Sequence, residues 1–339
     1  MKKTLLALAT MVLSACLLTG CGGQQQAAGT KDGKIVIQVG YENNPGEPFD
    51  QGINKWKELL EEKSNGTMQI EAYPSSQLGN KNDLIDQMIA GQPVVTLADG
   101  AFYADRGVKD FGIVFGPFLF DNWDQCWKLT KSDWYAKESK ELEDNGLKII
   151  ASNWVYGDRH LLTKKPVNSL ADLKGMKIRV PNNEIQVKGF EVLGAVPTPM
   201  PLGDVYTALQ QGTIDGVENP LPVLYNGKFQ EVAKYLILDG HVKNFTTLVC
   251  GEKFWTSLTK EQQDMLVSTC EEAGLYNNEL QKKAEQDVLE KFKAEGVTVV
   301  EPSQAVLDEF RAASKKFYSL PDFKDWSPNL YDTVKAAMQ

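Results

Sequence analysis

Arginine is scarce in this 339-residue chain, and its placement is the first chemical clue. Only four arginines occur, and two of them, Arg159 and Arg179, fall inside the stretch from Asn153 to Pro220, while lysine supplies nearly all the other positive charge. A guanidinium beside apolar strand residues presents a planar fork that grips a carboxylate through two parallel hydrogen bonds, which a lysine ammonium cannot do. In Lys177, Ile178, Arg179, Val180, Pro181 the apolar residues alternate with the basic ones and the proline ends the run, so Arg179 belongs at the carboxyl end of a strand. Ligand crevices of open α/β sheets form along that edge. Arg159, just after the apolar run KIIASNW and the expected turn at Gly157, is assigned the same kind of position. Both are candidate carboxylate receptors; the alternative for such an arginine is a structural ion pair.

At the next strand end stands Asp215, Gly216, Val217, Glu218, Asn219, Pro220. The proline biases Asn219 toward extended geometry, and its amide offers a donor and an acceptor to a ligand; a plain turn is the competing reading. Trp154 and Tyr156 offer an apolar wall for a ring, with core packing the alternative for Trp154. Nucleophilic hydrolysis has little to stand on. No G-x-S-x-G or H-E-x-x-H occurs, and His160 and His241 are the only histidines. No catalytic residue, metal or cofactor is expected.

The N-terminus, Met1, Lys2, Lys3 and then an apolar stretch from Leu5 to Leu18, reads as an export signal too short to span a membrane. Leu18, Thr19, Gly20, Cys21 resembles a bacterial lipobox, so residues 1–20 are expected to be removed and Cys21 to carry a lipid anchor. Residues 21–33, without a large apolar side chain, read as a flexible tether. Losing Lys2 and Lys3 takes the net charge from −9 to −11, which argues against nucleic acid as a partner. Cys126, Cys250 and Cys270 show no zinc-type spacing, and no disulfide is expected among them.

From Lys34 the patterning alternates strand and helix, KIVIQVGY, FDQGINKWKELLEEKS, TMQIEAYP, LIDQMIAG, PVVTLADG, and a second such series begins near Leu147. The fold class is therefore α/β, and the length favours two domains around a ligand cleft, linked by strand crossovers and a long helix. Phe49, Ile53, Trp56 and Leu60 form the core stripe of the first helix, stopped by Asn65 and Gly66. A helical period from Leu266 to Phe292, opened by a capping box at Thr259 and Gln262, predicts a spine between the domains; two helices broken near Gly274 are the alternative. The expected boundaries are 34–156 with 245–284 for the first domain and 157–244 with 285–339 for the second.

The segments YPSSQLG (73–79), GDRHLLTKKPVNSLADLKGMKIRVPN, GAVPTPMPLGDVYTALQQGTIDGVENP and KFQEVAKYL together resemble the DctP-type solute-binding subunits of tripartite ATP-independent periplasmic (TRAP) transporters, over almost all of the mature chain. The resemblance implies a two-domain α/β protein, a monomer without enzymatic activity, that closes on an organic acid outside the cytoplasmic membrane and delivers it to a membrane permease. It implies that Arg179 makes the principal salt bridge to the ligand carboxylate, with Arg159 and Asn219 assisting. Asn182 and Leu202 match pocket-lining positions, and Glu42 and Asp99 fall where the family places ligand-facing polar groups. Where sialate-binding members carry a further arginine, this chain has Phe102. Carboxylates at Glu42 and Asp99 would repel a second substrate carboxylate and suit hydroxyls, so a uronate or aldonate is preferred over a C4-dicarboxylate. An exported carboxylate-handling hydrolase, a binding lipoprotein of an ATP-driven importer and a chemoreceptor are the alternatives.

Overall fold

The computed structural model describes residues 29–31 and 33–339, so the expected signal segment, Cys21 and most of the tether lie outside the described residues. Ten strands form one mixed sheet: β1 (Thr30–Lys31), β2 (Lys34–Gly40), β3 (Met68–Tyr73), β4 (Val94–Ala98), β5 (Leu147–Thr163), β6 (Lys177–Val180), β7 (Val196–Pro199), β8 (Gly216–Pro220), β9 (Tyr235–Gly251) and β10 (Thr298–Val300). The order is β1-β2-β4-β9-β5-β8-β6-β7, with β3 on β2 and β10 on β9. The two halves repeat one plan. In the first, β3, β2 and β4 run parallel and β4 pairs antiparallel with β9; in the second, β7, β6 and β8 run parallel and β8 pairs antiparallel with β5. Parallel neighbours need crossovers, supplied by helices Pro48–Lys63 and Lys81–Ala90 in the first half and Glu184–Val192 and Val205–Gln211 in the second. The long strands β5 and β9 pair with each other through both halves and are the strand crossovers between two α/β domains.

The expected stripe of Phe49, Ile53, Trp56 and Leu60 is buried in the first domain's core. Its helix stops where Asn65 and Gly66 both turn left-handed, at φ 50° and 75°. The spine is a single helix, Lys260–Ala294, with the Thr259–Gln262 capping box formed. At 1.5 Å per residue its 35 residues reach ~52 Å. Leu266, Cys270 and Ala273 join the first domain's core, and Val288 and Phe292 join the second's. Gly274 does not break the helix but lets it approach β5: a Cβ there would lie 2.7 Å from Asn153 Oδ1 and 2.8 Å from the Trp154 ring.

β5 slips register opposite β9 between Ala151 and Trp154, and the spine satisfies the backbone freed there. Asn278 Oδ1 accepts from the Val155 amide at 2.7 Å, and Asn277 and Asn278 donate to the Val155 and Asn153 carbonyls at 2.8 Å. The chain's last segment departs from its expected place in the second domain. Phe310 does pack there, but Leu330, Val334 and Met338 join a cluster of the first domain with Leu84, Val94 and Phe111, because the tail crosses back and caps that cluster with its apolar face. Cys126, Cys250 and Cys270 are buried free thiols. Among the described residues no helix is long and apolar enough to cross a membrane.

Candidate functional site

The parallel strands of the two halves point their carboxyl ends at one another, and a narrow cavity lies between them. Each wall residue follows from that geometry. Glu42 lies two residues past β2, Asp99 directly follows β4, Arg179 and Pro181 end β6, Asn219 ends β8, and Leu202 follows β7. Lys81 and Phe102 come from the short helices that start beyond β3 and β4, and Gln186 from the helix after β6. Tyr156 and Arg159 on β5 and Asn244 and Thr246 on β9 form the floor.

The two arginines differ in what already holds them. Arg159 is mid-strand in β5, not at a strand's end; Gly157 does not turn the chain but bulges it at φ 131°, so the strand continues to Thr163. Register with β8 then sets Arg159 beside Glu218. Its Nε and Nη2 donate to the two Glu218 carboxylate oxygens, Nη2 donates also to the Glu218 carbonyl, and Nη1 donates to Asn244 Oδ1 at 3.0 Å. Burial opposes the guanidinium charge, but Glu218 outweighs it and holds the pKa of Arg159 above its ordinary value. Glu218 in turn accepts from His241 Nε2 at 3.2 Å, while His241 Nδ1 lies 2.9 Å from Asp239. Burial disfavours the imidazolium, yet Asp239 and then Glu218 prevail and raise the pKa of His241 to about 9. The structural ion pair weighed for these arginines is thus the state of Arg159.

Arg179 has no carboxylate partner among the described residues. It is 2% exposed, and its Nε and Nη2 both donate to the Met200 carbonyl, at 2.9 and 2.7 Å. Three of its five N–H groups remain without a protein acceptor among the described residues. Burial lowers its pKa to about 10, with Glu42 and Glu218 only partly offsetting that cost. A buried guanidinium so placed is an anion site.

The acids on the opposite wall are neutralised to different degrees. Glu42 pairs with Lys81 at 3.2 Å; burial alone would raise its pKa, but Lys81 and then Arg179 bring it below the ordinary value. Asp99 accepts from the Ala101 amide at 3.0 Å as a helix cap, and burial raises its pKa despite Lys81 and Arg159. The Tyr156 hydroxyl meets Asn43 at 3.2 Å.

Of the residues expected at the site, Arg179, Arg159, Asn219, Glu42, Asp99, Leu202 and Tyr156 line the cavity. Trp154 does not. It is fully buried between the helices at Gly52 and Gly274 and donates to the Cys270 carbonyl at 3.1 Å, because at its place on β5 the spine helix and the first domain's core cover it, packed with Tyr156 against Phe49. Asn182 also stays off the wall, its carbonyl accepting from Asn82 across the cleft at 3.4 Å. Lys81, Gln186, Asn244 and Thr246 were missed. The signal for Gln186 was present: it stands in the first turn of the helix that follows the strand end at Arg179, Val180 and Pro181.

The profile of the DctP family, described as "Bacterial extracellular solute-binding protein, family 7", matches residues 39–322. A solved TRAP periplasmic solute-binding protein of Ochrobacterium anthropi with bound L-fuconate is 45% identical with a TM-score of 0.86, over 90% of this chain and 99% of that one. One from Actinobacillus succinogenes with bound L-galactonate is 41% identical with a TM-score of 0.85, over 89% and 99%. The 2,3-diketo-L-gulonate-binding periplasmic protein of Escherichia coli is 32% identical over 265 residues, 78% of this chain and 80% of that protein.

Proposed function

The chain belongs to the DctP family of TRAP solute-binding proteins, which bind organic acids for transport and are not enzymes, and from that premise we propose that its ligand is a sugar acid, an aldonate or uronate with one carboxylate and several hydroxyls. The observation that carries this reading is Arg179, a buried cation with no carboxylate of its own. Around it, Arg159 with Glu218 and Lys81 with Glu42 are already paired, so Arg179 is the cation left to meet one ligand carboxylate. A second carboxylate would be left in excess. The Asn219 amide has no protein partner among the described residues and suits a hydroxyl. The relatives bound to L-fuconate and L-galactonate support the same class. Arg179 is the ligand's anchor, with Arg159, Asn219, Glu42, Asp99, Leu202 and Tyr156 shaping the pocket. The protein acts as a monomer, held outside the cytoplasmic membrane by a lipid on Cys21, and delivers its ligand to a TRAP permease.

A thermal-shift screen of the mature protein against aldonates, uronates, C4-dicarboxylates, sialate, keto acids and amino acids tests the substrate class. A ligand at one hundred times its dissociation constant adds ~2.7 kcal/mol of stability, a shift of several degrees. Stabilisation by dicarboxylates alone would overturn the sugar-acid reading. For the anchor, Cys21→Ser should move the protein from the membrane fraction to the soluble one; unchanged membrane retention would refute lipidation there.

A further inference from the structure

Gln186 lies in the first turn of helix Glu184–Val192, and its backbone is pinned because its amide N–H donates to the capping Asn183 Oδ1 at 2.9 Å. Its side chain is not pinned. The residue is 6% exposed, lines the cavity with Arg179 and Asn219, and its Oε1 is shut from solvent without a hydrogen-bond partner; Nε2 has none either among the described residues. Behind it is a small adjoining pocket walled mainly by Phe115, Pro117, Ile185, Phe190, Leu193 and Val242, together with Glu218 and His241, which already bond each other. Gln186 therefore stands as a partition, with apolar side chains on one side and the ligand cavity on the other. A buried amide left unpaired is costly, and the neighbouring pocket offers it no compensation, since Glu218 and His241 there are bonded to Arg159, Asp239 and each other.

We infer that Gln186 is a specificity-determining residue that reads a ligand hydroxyl, an inference that rests on the sugar-acid reading above. The chemistry follows from the amide's two-sidedness. A hydroxyl can donate to Oε1 and accept from Nε2, so it satisfies either presented atom. A carboxylate or phosphate oxygen can only accept, which leaves Oε1 unpaired against the adjoining pocket or opposed to another acceptor. With Asn219 Oδ1 likewise unpartnered, the wall beside Arg179 carries two acceptors that ask for donors. One anionic end held by Arg179 and a hydroxylated body read by Gln186 and Asn219 is the pattern that separates an aldonate from its dicarboxylate counterpart, in which a terminal hydroxymethyl has become a carboxylate.

The test measures dissociation constants by calorimetry for galactonate, each of its single-deoxy analogues and the matching aldarate, with the full mature protein and its Gln186→Leu and Gln186→Met variants. In the unaltered protein one deoxy analogue should bind about tenfold more weakly than galactonate. In either variant galactonate should lose about that factor while the same deoxy analogue changes little, so that their ratio approaches one. Met keeps the length of Gln without its polar atoms, so it serves where Leu unfolds the helix. A purely structural Gln186 would weaken every ligand alike, and an unchanged ratio in a folded variant overturns the inference while leaving the sugar-acid reading intact. Binding of no hydroxylated monocarboxylate by the unaltered protein would overturn both.

Discussion

Replacing Arg179 and Arg159 in turn by methionine should have opposite effects on the ligand-free protein, although both side chains line one cavity. The fall of Arg179 from its ordinary pKa to about 10 corresponds to ~3 kcal/mol of burial cost that Arg179→Met removes. Against that stand the two bonds to the Met200 carbonyl, at ~1 kcal/mol each. The ligand-free variant should therefore melt no lower than the unaltered protein, within ~4 °C of it, since ~1 kcal/mol moves the midpoint of a chain this long by about 2 °C. Arg159→Met instead strands Glu218 in the interior with only His241 to pair it, a loss of ~3–5 kcal/mol and ~6–10 °C. Ligand binding separates the two in another way. Arg179→Met should weaken binding by ~2–5 kcal/mol, roughly 30-fold to several thousand-fold, with its fold intact. Differential scanning calorimetry with and without the bound sugar acid reads both effects. If Arg179→Met melts as low as Arg159→Met, or keeps near-unaltered affinity, the assignment of Arg179 as an unpaired anion receptor is wrong.

Three further outcomes are expected. Because folding raises the pKa of His241 from an unfolded value near 6.5 to about 9, its stabilisation is fully present below pH 6.5 and disappears as pH climbs to 9, a loss of about 3 kcal/mol visible in urea melts and absent in His241→Gln. Gly274→Ala should cost ~1–3 kcal/mol in the same melts, since its Cβ would press Asn153 and Trp154; no loss would mean that the spine and β5 can separate freely. Asp99→Asn keeps the helix cap but removes a buried carboxylate, so titration calorimetry should show dicarboxylates gaining about tenfold relative to monocarboxylates; an unchanged preference would place Asp99 outside the electrostatics of the ligand.

Much of this was legible in residue order, because it depends on local pattern. Alternation and helical period, caps at Thr259 and stops at Asn65 and Gly66 identified an α/β chain with a long spine, and the placement of Arg179 and Asn219 at strand ends followed from Pro181 and Pro220. The DctP motifs extended that reading to Glu42, Asp99 and Leu202. Only the tertiary structure distinguished the two arginines. Bulging of β5 at Gly157 and its register against β8 bring Glu218 to Arg159, a pairing between residues 59 positions apart that no local pattern encodes. Separation along the chain likewise hid the Lys81–Glu42 pair, the return of the C-terminal helix to the first domain and the unpartnered amide of Gln186. Spacing along the chain determined which groups stand at the ends of strands; whether each is already paired or still open to a ligand was decided by what the other half of the molecule places opposite it.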